Sequence, residues 1–225
     1  SPGTGWRETH EGFPVYRFRF FRRVPLGEFL FWGRMFLFLL RRRRSFNWLH
    51  SHGAYYTNSG LAWMAGLLGK KSVFKVSLEK NDLAGINGGW RGRLHRAFLA
   101  RADRLVAISG EIAQEIAANG FAPERVFHCP NGVDVARFAP TDAVERSALR
   151  RNLGLPEGDV LFLFAGVVDE RKNVAWLVEQ WTAYCARGGK GHLLIVGPIS
   201  REDSGGAFFR SLSRRAGEAG LEGRR

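Results

Sequence analysis

Apolar positions along this chain switch repeatedly between two periods. Val160 to Ala165 is an unbroken apolar run closed by Gly166, the pattern of a strand buried on both faces of a parallel sheet. A polar turn follows with Asp169, Glu170, Arg171 and Lys172, and then Val174, Leu177, Val178, Trp181 and Cys185 recur at helical spacing. Asn173 stands where a side-chain oxygen can cap that helix. The same alternation predicts strands at 14–21, 46–51, 72–78, 104–108, 125–129 and 192–196. It predicts helices at 28–43, 55–68, 90–102, 110–118, 143–153, 174–186 and 208–219. The first strand alternates Val15, Phe18 and Phe20 with Tyr16, Arg17 and Arg19, which suits a sheet edge. Strands alternating with helices of this length predict βαβ units, a parallel sheet and an α/β fold. A polar stretch at 133–159, with Pro140, Pro156 and Gly158, divides the pattern into two Rossmann-like sets, residues 1–135 and 136–225.

Charge changes the picture in one half only. Residues 1–112 carry 19 Lys and Arg against 7 Asp and Glu, whereas residues 113–225 carry 15 against 14. A one-sided positive field points to an anionic partner, a membrane surface or a nucleic acid. The apolar segment 29–40 is interrupted by Gly33 and Arg34 and followed by Arg41 to Arg44. It is shorter than the roughly 20 residues that span a bilayer, so it reads as a buried helix or as an interfacial one that turns Trp32 and its arginines to anionic lipid. Two cysteines, Cys129 and Cys185, give neither a disulfide framework nor metal-ligand spacing. A reducing, cytoplasmic setting is expected, with peripheral attachment at the inner membrane face as the interfacial reading. No leader-like segment is recognised at Ser1.

In open α/β sheets ligands bind beyond the carboxyl ends of the strands. That rule selects His52, Glu79, Asp82, Ser109, Asn131, the Arg171-Lys172 turn and Gly197. Arg171 and Lys172 sit between a strand and a helix N-terminus, where cations and free amides suit phosphate. No nucleophilic triad and no carboxylate pair of hydrolase spacing is recognised.

Pro130-Asn-Gly-Val-Asp-Val-Ala-Arg-Phe-Ala-Pro140 resembles the Pro-Asn-Gly-Val-Asp…Phe-x-Pro hinge segment of family 4 glycosyltransferases. Ala102 to Ser109 is similar to their Ala-Asp-x-Val-Val-Ala-x-Ser strand, and Leu161 to Asn173 to their glycine-to-lysine turn. Leu194 to Gly197 and His50 to Gly53 match two further strand ends. The resemblance implies the two-domain GT-B fold, both domains incomplete, with the opening unit of the first lying before Ser1 and the paired-glutamate motif of the second after Arg225. It implies transfer of a sugar, with retention, from a nucleotide-sugar donor held between the domains to a glycan, lipid-linked or small-molecule acceptor. It assigns Lys172 to donor phosphate, with Gly166 before the turn, Val167 where the family usually has arginine, and Arg171 as the substitute cation. Gly197 and Asn131 join the donor side. His52, Glu79, Asp82 and Ser109 fall on the acceptor side, with Glu79 in a position the family gives to histidine. Lys172, Arg171 and Asp82 are the candidate catalytic groups. No metal or cofactor is expected, and the chain alone is expected to be inactive. Three other readings stay open: a non-catalytic basic module for nucleic acid or membrane, a sugar-nucleotide epimerase of the same fold, and a degenerate, purely structural relative.

Overall fold

The computed structural model describes residues 6–18, 27–200 and 206–218, and the chain divides into two compact units, Ser1–Asp134 and Val135–Arg225. The first unit opens with an antiparallel hairpin, β1 (Arg7–His10) and β2 (Phe13–Tyr16). The expected edge strand at 14–21 is therefore shorter and pairs with β1 alone. Glu11 and Gly12 make the turn at positive φ, and β1 carries too few apolar residues to announce itself. Residues 19–21 of the expected strand lie outside the described residues.

A four-stranded parallel sheet follows: β3 (Trp48–His52), β4 (Lys71–Val76), β5 (Arg104–Ala107) and β6 (Val126–His128), in that order. Between the strands run α2 (Tyr56–Leu67), α3 (Gly89–Leu99) and α4 (Gly110–Ala118). The sheet's residues alternate in fate because side chains alternate in direction. Ser72, Phe74, Val76, Leu105 and Ala107 point into the core and meet Ala62, Leu99, Ile112 and Ile116 from the helices. Trp48, His50, His52 and Phe127 point the other way and stay exposed. Only one face of this parallel sheet is therefore sealed by helices among the described residues.

Helix α1 (Gly27–Arg41) packs by Trp32 and Leu39 against Met64, Phe98 and their neighbours. Trp32 is only 9% exposed, its indole N–H donates to the Thr57 carbonyl at 2.9 Å, and its ring meets Tyr56 and Phe98 edge-on. At Trp32 the buried reading of this segment holds and the lipid-facing one does not: the indole finds both its apolar contacts and its acceptor inside. Among the described residues no helix is long and apolar enough to cross a membrane.

The second unit starts with α5 (Ala143–Asn152), capped by Asp142. A two-stranded parallel sheet follows, β7 (Leu161–Ala165) with β8 (His192–Val196), and then α6 (Val174–Ala186) and α7 (Ala207–Glu218) in their places along the chain. Phe164, Val168, Val174, Val178, Ile195 and Leu212 form its core. Phe162 lies on the same side against Trp181 and Tyr184. The opposite side presents Leu163 to solvent, so β7 is not buried on both faces as its composition predicts.

Candidate functional site

Each unit gathers polar groups beyond the carboxyl ends of its strands. In the second unit Gly166 and Gly197 end β7 and β8 side by side. The Gly166 amide donates to the Val196 carbonyl at 2.9 Å. Gly197 holds φ +151°, and a Cβ there would stand 1.7 Å from the Gly166 carbonyl oxygen. The two backbones approach this closely only because Gly197 lacks a side chain. The ladder then continues past the glycines, with Val168 donating to Pro198 at 2.9 Å and Ser200 donating to Val168 at 3.2 Å.

That extension delivers the chain to a 3-10 turn, Glu170–Lys172. The Lys172 amide donates to Asp169 Oδ1 at 2.8 Å, and the Arg171 guanidinium stands 3.9 Å from Asp169 Oδ2. Asp169 is thus the side chain that caps the turn, correcting the expectation placed on Asn173. Asn173 takes a left-handed conformation (φ +56°, ψ 33°) and makes no side-chain cap, because that backbone geometry turns its side chain away from the amides. The leading amides of α6 are left without a side-chain partner. Lys172 makes no ion pair among the described residues and is exposed. A closed strand end, two cations and uncapped amides together form a short cradle for an anion.

In the first unit the expected residues fall into two groups. Asp82 is only 1% exposed. Its Oδ2 accepts from the Ser77 amide at 2.8 Å and lies 3.4 Å from the Ala54 amide, so it ties the loops after β3 and β4 together. His95 from α3 supports the same loop, its Nε2 standing 2.6 Å from the Ala54 carbonyl. Burial pulls the His95 imidazole below its ordinary range, against the opposing pulls of the Ala54 hydrogen bond and the Asp82 charge. Tyr55 is held above the usual phenol range by burial and by the Asp82 carboxylate. Ser109 accepts from the Ile112 amide at 3.3 Å and caps α4. Glu79 pairs with Lys80 at 3.3 Å on the surface.

The second group lies on the exposed face of the sheet. His52 stacks on His50 with ring centroids 4.7 Å apart. Across the ladder His52 faces Lys75, whose ammonium donates to Asn131 Oδ1 at 2.5 Å. Asn131, grouped by resemblance with the donor side, is thereby brought to His52 and Lys75. Burial, then His52, then Lys75 lower the His50 imidazole. Lys75 went unrecognised in the sequence, although a lysine inside the apolar run 73–76 marks a strand position that turns away from the core.

A family model described as Glycosyl transferase 4-like domain matches residues 1–132. The D-inositol 3-phosphate glycosyltransferase of Thermobifida fusca is 45% identical over 101 residues, 44% of this chain and 22% of the relative. The putative colanic acid biosynthesis glycosyl transferase WcaI of Escherichia coli K12 is 27% identical over 131 residues, 53% of this chain and 32% of the relative. Among solved structures, Anabaena HepE in complex with UDP and glucose superimposes with a TM-score of 0.66 at 15% identity, over 89% of this chain and 52% of that one. A glycosyltransferase from Rickettsia africae gives 0.64 at 13% identity, over 92% and 52%. The chain therefore spans about half the length of these structures and a smaller share of the curated relatives. These neighbours share the GT-B arrangement of α/β units with parallel sheets.

Proposed function

The chain belongs to the glycosyltransferase 4-like family, and from that premise we propose that its protein moves a sugar, with retention, from a nucleotide-sugar donor to a hydroxyl acceptor. The observation that carries this reading is the Asp169-capped turn with its free Lys172. Loss of a nucleoside diphosphate develops negative charge on phosphate oxygens, and preorganised cations and amides stabilise that charge most where they need not reorganise. Asp169 sets the turn, the Lys172 ammonium meets the diphosphate, Arg171 adds a second cation where Val167 supplies none, and the α6 amides complete the cradle. The paired glycines Gly166 and Gly197 let the ligand approach the backbone. The reading asks for no metal, because cations of the chain carry the counter-charge. UDP in solved neighbours supports a uridine nucleotide as the first donor to test.

On the first unit, His52, Lys75 and Asn131 are the groups we assign to the acceptor, with Asp82 and His95 positioning the loops that hold them. The acceptor is a glycan, a small polyol or a lipid-linked sugar, and the basic surface of this unit suits the last of these at an anionic membrane face. The competing binding-module and epimerase readings find no support in the family match.

The test is UDP release and product analysis in the full-length enzyme with UDP-sugar donors. Lys172→Ala is expected to lower kcat/KM by one to three orders of magnitude, on the order of one lost charge contact in the transition state. An activity within about twofold of the parent removes Lys172 from the site, and an inverted product anomer by NMR overturns retention.

A further inference from the structure

We propose that the groove between the β1–β2 hairpin and α1 takes the phosphate headgroup of an anionic lipid, docking the first unit on a bilayer. The proposal rests on the membrane-facing part of the function above and not on sugar transfer itself. The groove, about 570 Å³, is lined by Trp6, Arg17, Phe18, Arg34, Leu37, Phe38, Arg41 and Arg42, none of which belongs to the candidate site.

Among the described residues, four guanidinium groups and no carboxylate line this space. Two are anchored by the fold. Arg17 pairs with Glu8, and Arg42 lies over the rings of Tyr16 at 4.5 Å and Phe38 at 5.1 Å. Those rings meet at a tilt with centroids 4.9 Å apart, and Trp6 meets Tyr16 likewise at 5.5 Å, so the hairpin is held against the end of α1 as a wall. Arg34 and Arg41 make no ion pair among the described residues. Guanidinium forks match phosphate oxygens in geometry as well as charge.

The rim decides which phosphate. Trp6 is 63% exposed, and on α1 Leu30 is 53% and Leu37 50% exposed. Leu30, Arg34, Leu37 and Arg41 follow one another at helical spacing, so one stripe of α1 alternates aliphatic and cationic side chains. Acyl chains reward the leucines and Trp6 while headgroups reward the arginines. A nucleic acid would satisfy the arginines but leave Leu30 and Leu37 in water. Charge complementarity and the aliphatic rim together select an anionic bilayer.

The experiment is sedimentation of the full chain with phosphatidylcholine vesicles carrying increasing phosphatidylglycerol. Binding is expected to rise with phosphatidylglycerol and fall with salt. The double variant R34Q/R41Q is expected to bind roughly 10- to 30-fold more weakly, from about a fivefold loss per arginine at most. R101Q/R104Q, the same charge change elsewhere on the unit, is expected to bind several-fold more tightly than R34Q/R41Q. Brominated acyl chains in the vesicles are expected to quench the parent protein and quench Trp6→Phe less, a readout independent of whether the arginine variant folds. Equal binding by the two double variants, or equal quenching with and without Trp6, overturns the groove while leaving membrane docking standing. Vesicle binding absent in the parent, with single-stranded RNA bound instead and weakened by R34Q/R41Q, overturns the lipid proposal in favour of nucleic acid. Sugar transfer to a soluble acceptor in the same preparations reports on the glycosyltransferase reading separately.

Discussion

His95 shows how a buried imidazole becomes a pH sensor for stability. It is 2% exposed and packed beneath the loop that carries Ala54. Its folded pKa lies below that of the unfolded chain because burial disfavours the cation. Between the two values the unfolded state binds more protons, so stability rises with pH in that window. Stability is therefore full above about pH 6.5, the unfolded value, and is lost as pH falls through the lowered folded pKa. Urea unfolding of the parent from pH 7.5 downward is expected to show this loss, and His95→Gln is expected to flatten it at a lower starting stability. An unchanged slope in the variant would assign the acid sensitivity to other groups. Nothing about His95 in the sequence separates it from the five other histidines; its role follows from where α3 lands.

The paired strand ends of the second unit make a sharper contrast between two identical residues. Gly166 and Gly197 both follow apolar strands, but their surroundings differ. A Cβ at Gly166 meets only the Phe164 ring at 3.5 Å, an ordinary contact, whereas one at Gly197 meets backbone at 1.7 Å. Backbone cannot move aside as a side chain can, so β7 and β8 must separate. Gly197→Ala is expected to destabilise the unit by about 1–3 kcal/mol, lowering its melting midpoint by several degrees or more, and to weaken donor binding with it. Gly166→Ala is expected to melt close to the parent. Differential scanning calorimetry of both variants decides the matter, and equal losses would show that the close approach is not what holds the turn.

Both sheets leave large side chains in water on one side. In the first unit these are Trp48 and Phe127, and in the second Leu163 and Val196. Parallel sheets in α/β proteins are ordinarily covered on both faces, and exposed apolar faces beside strand edges promote association. Residues 1–225 produced alone are expected to bind 8-anilinonaphthalene-1-sulfonate, to aggregate on concentration and to transfer no sugar. A sharp near-UV circular dichroism transition without dye binding would show that these faces are compatible with a closed fold. Within β7, Phe162 and Phe164 both face α6, yet Phe162 keeps 42% of its surface exposed and Leu163 on the opposite side 63%.

Most of the architecture was written in local pattern. Helices 110–118 and 174–186 and strand 192–196 coincide with the observed elements, because period, caps and glycine stops are properties of neighbouring residues. The strand-end rule likewise brought His52, Asn131, Gly197 and Lys172 forward, since it needs only the order of elements. Asp82 was found but not understood: that it binds backbone amides from two loops depends on residues 5 and 28 positions away. Lys75 and Asp169 were missed or undervalued because one acts across a strand ladder and the other within a turn whose cap had been given to Asn173. The burial of Trp32, the helix-side placement of Phe162 and the arginine groove beside the hairpin all required long-range packing. Such packing decides which side of an apolar helix or strand meets a partner, and a hydrophobic pattern that is apolar all round holds no information about that choice.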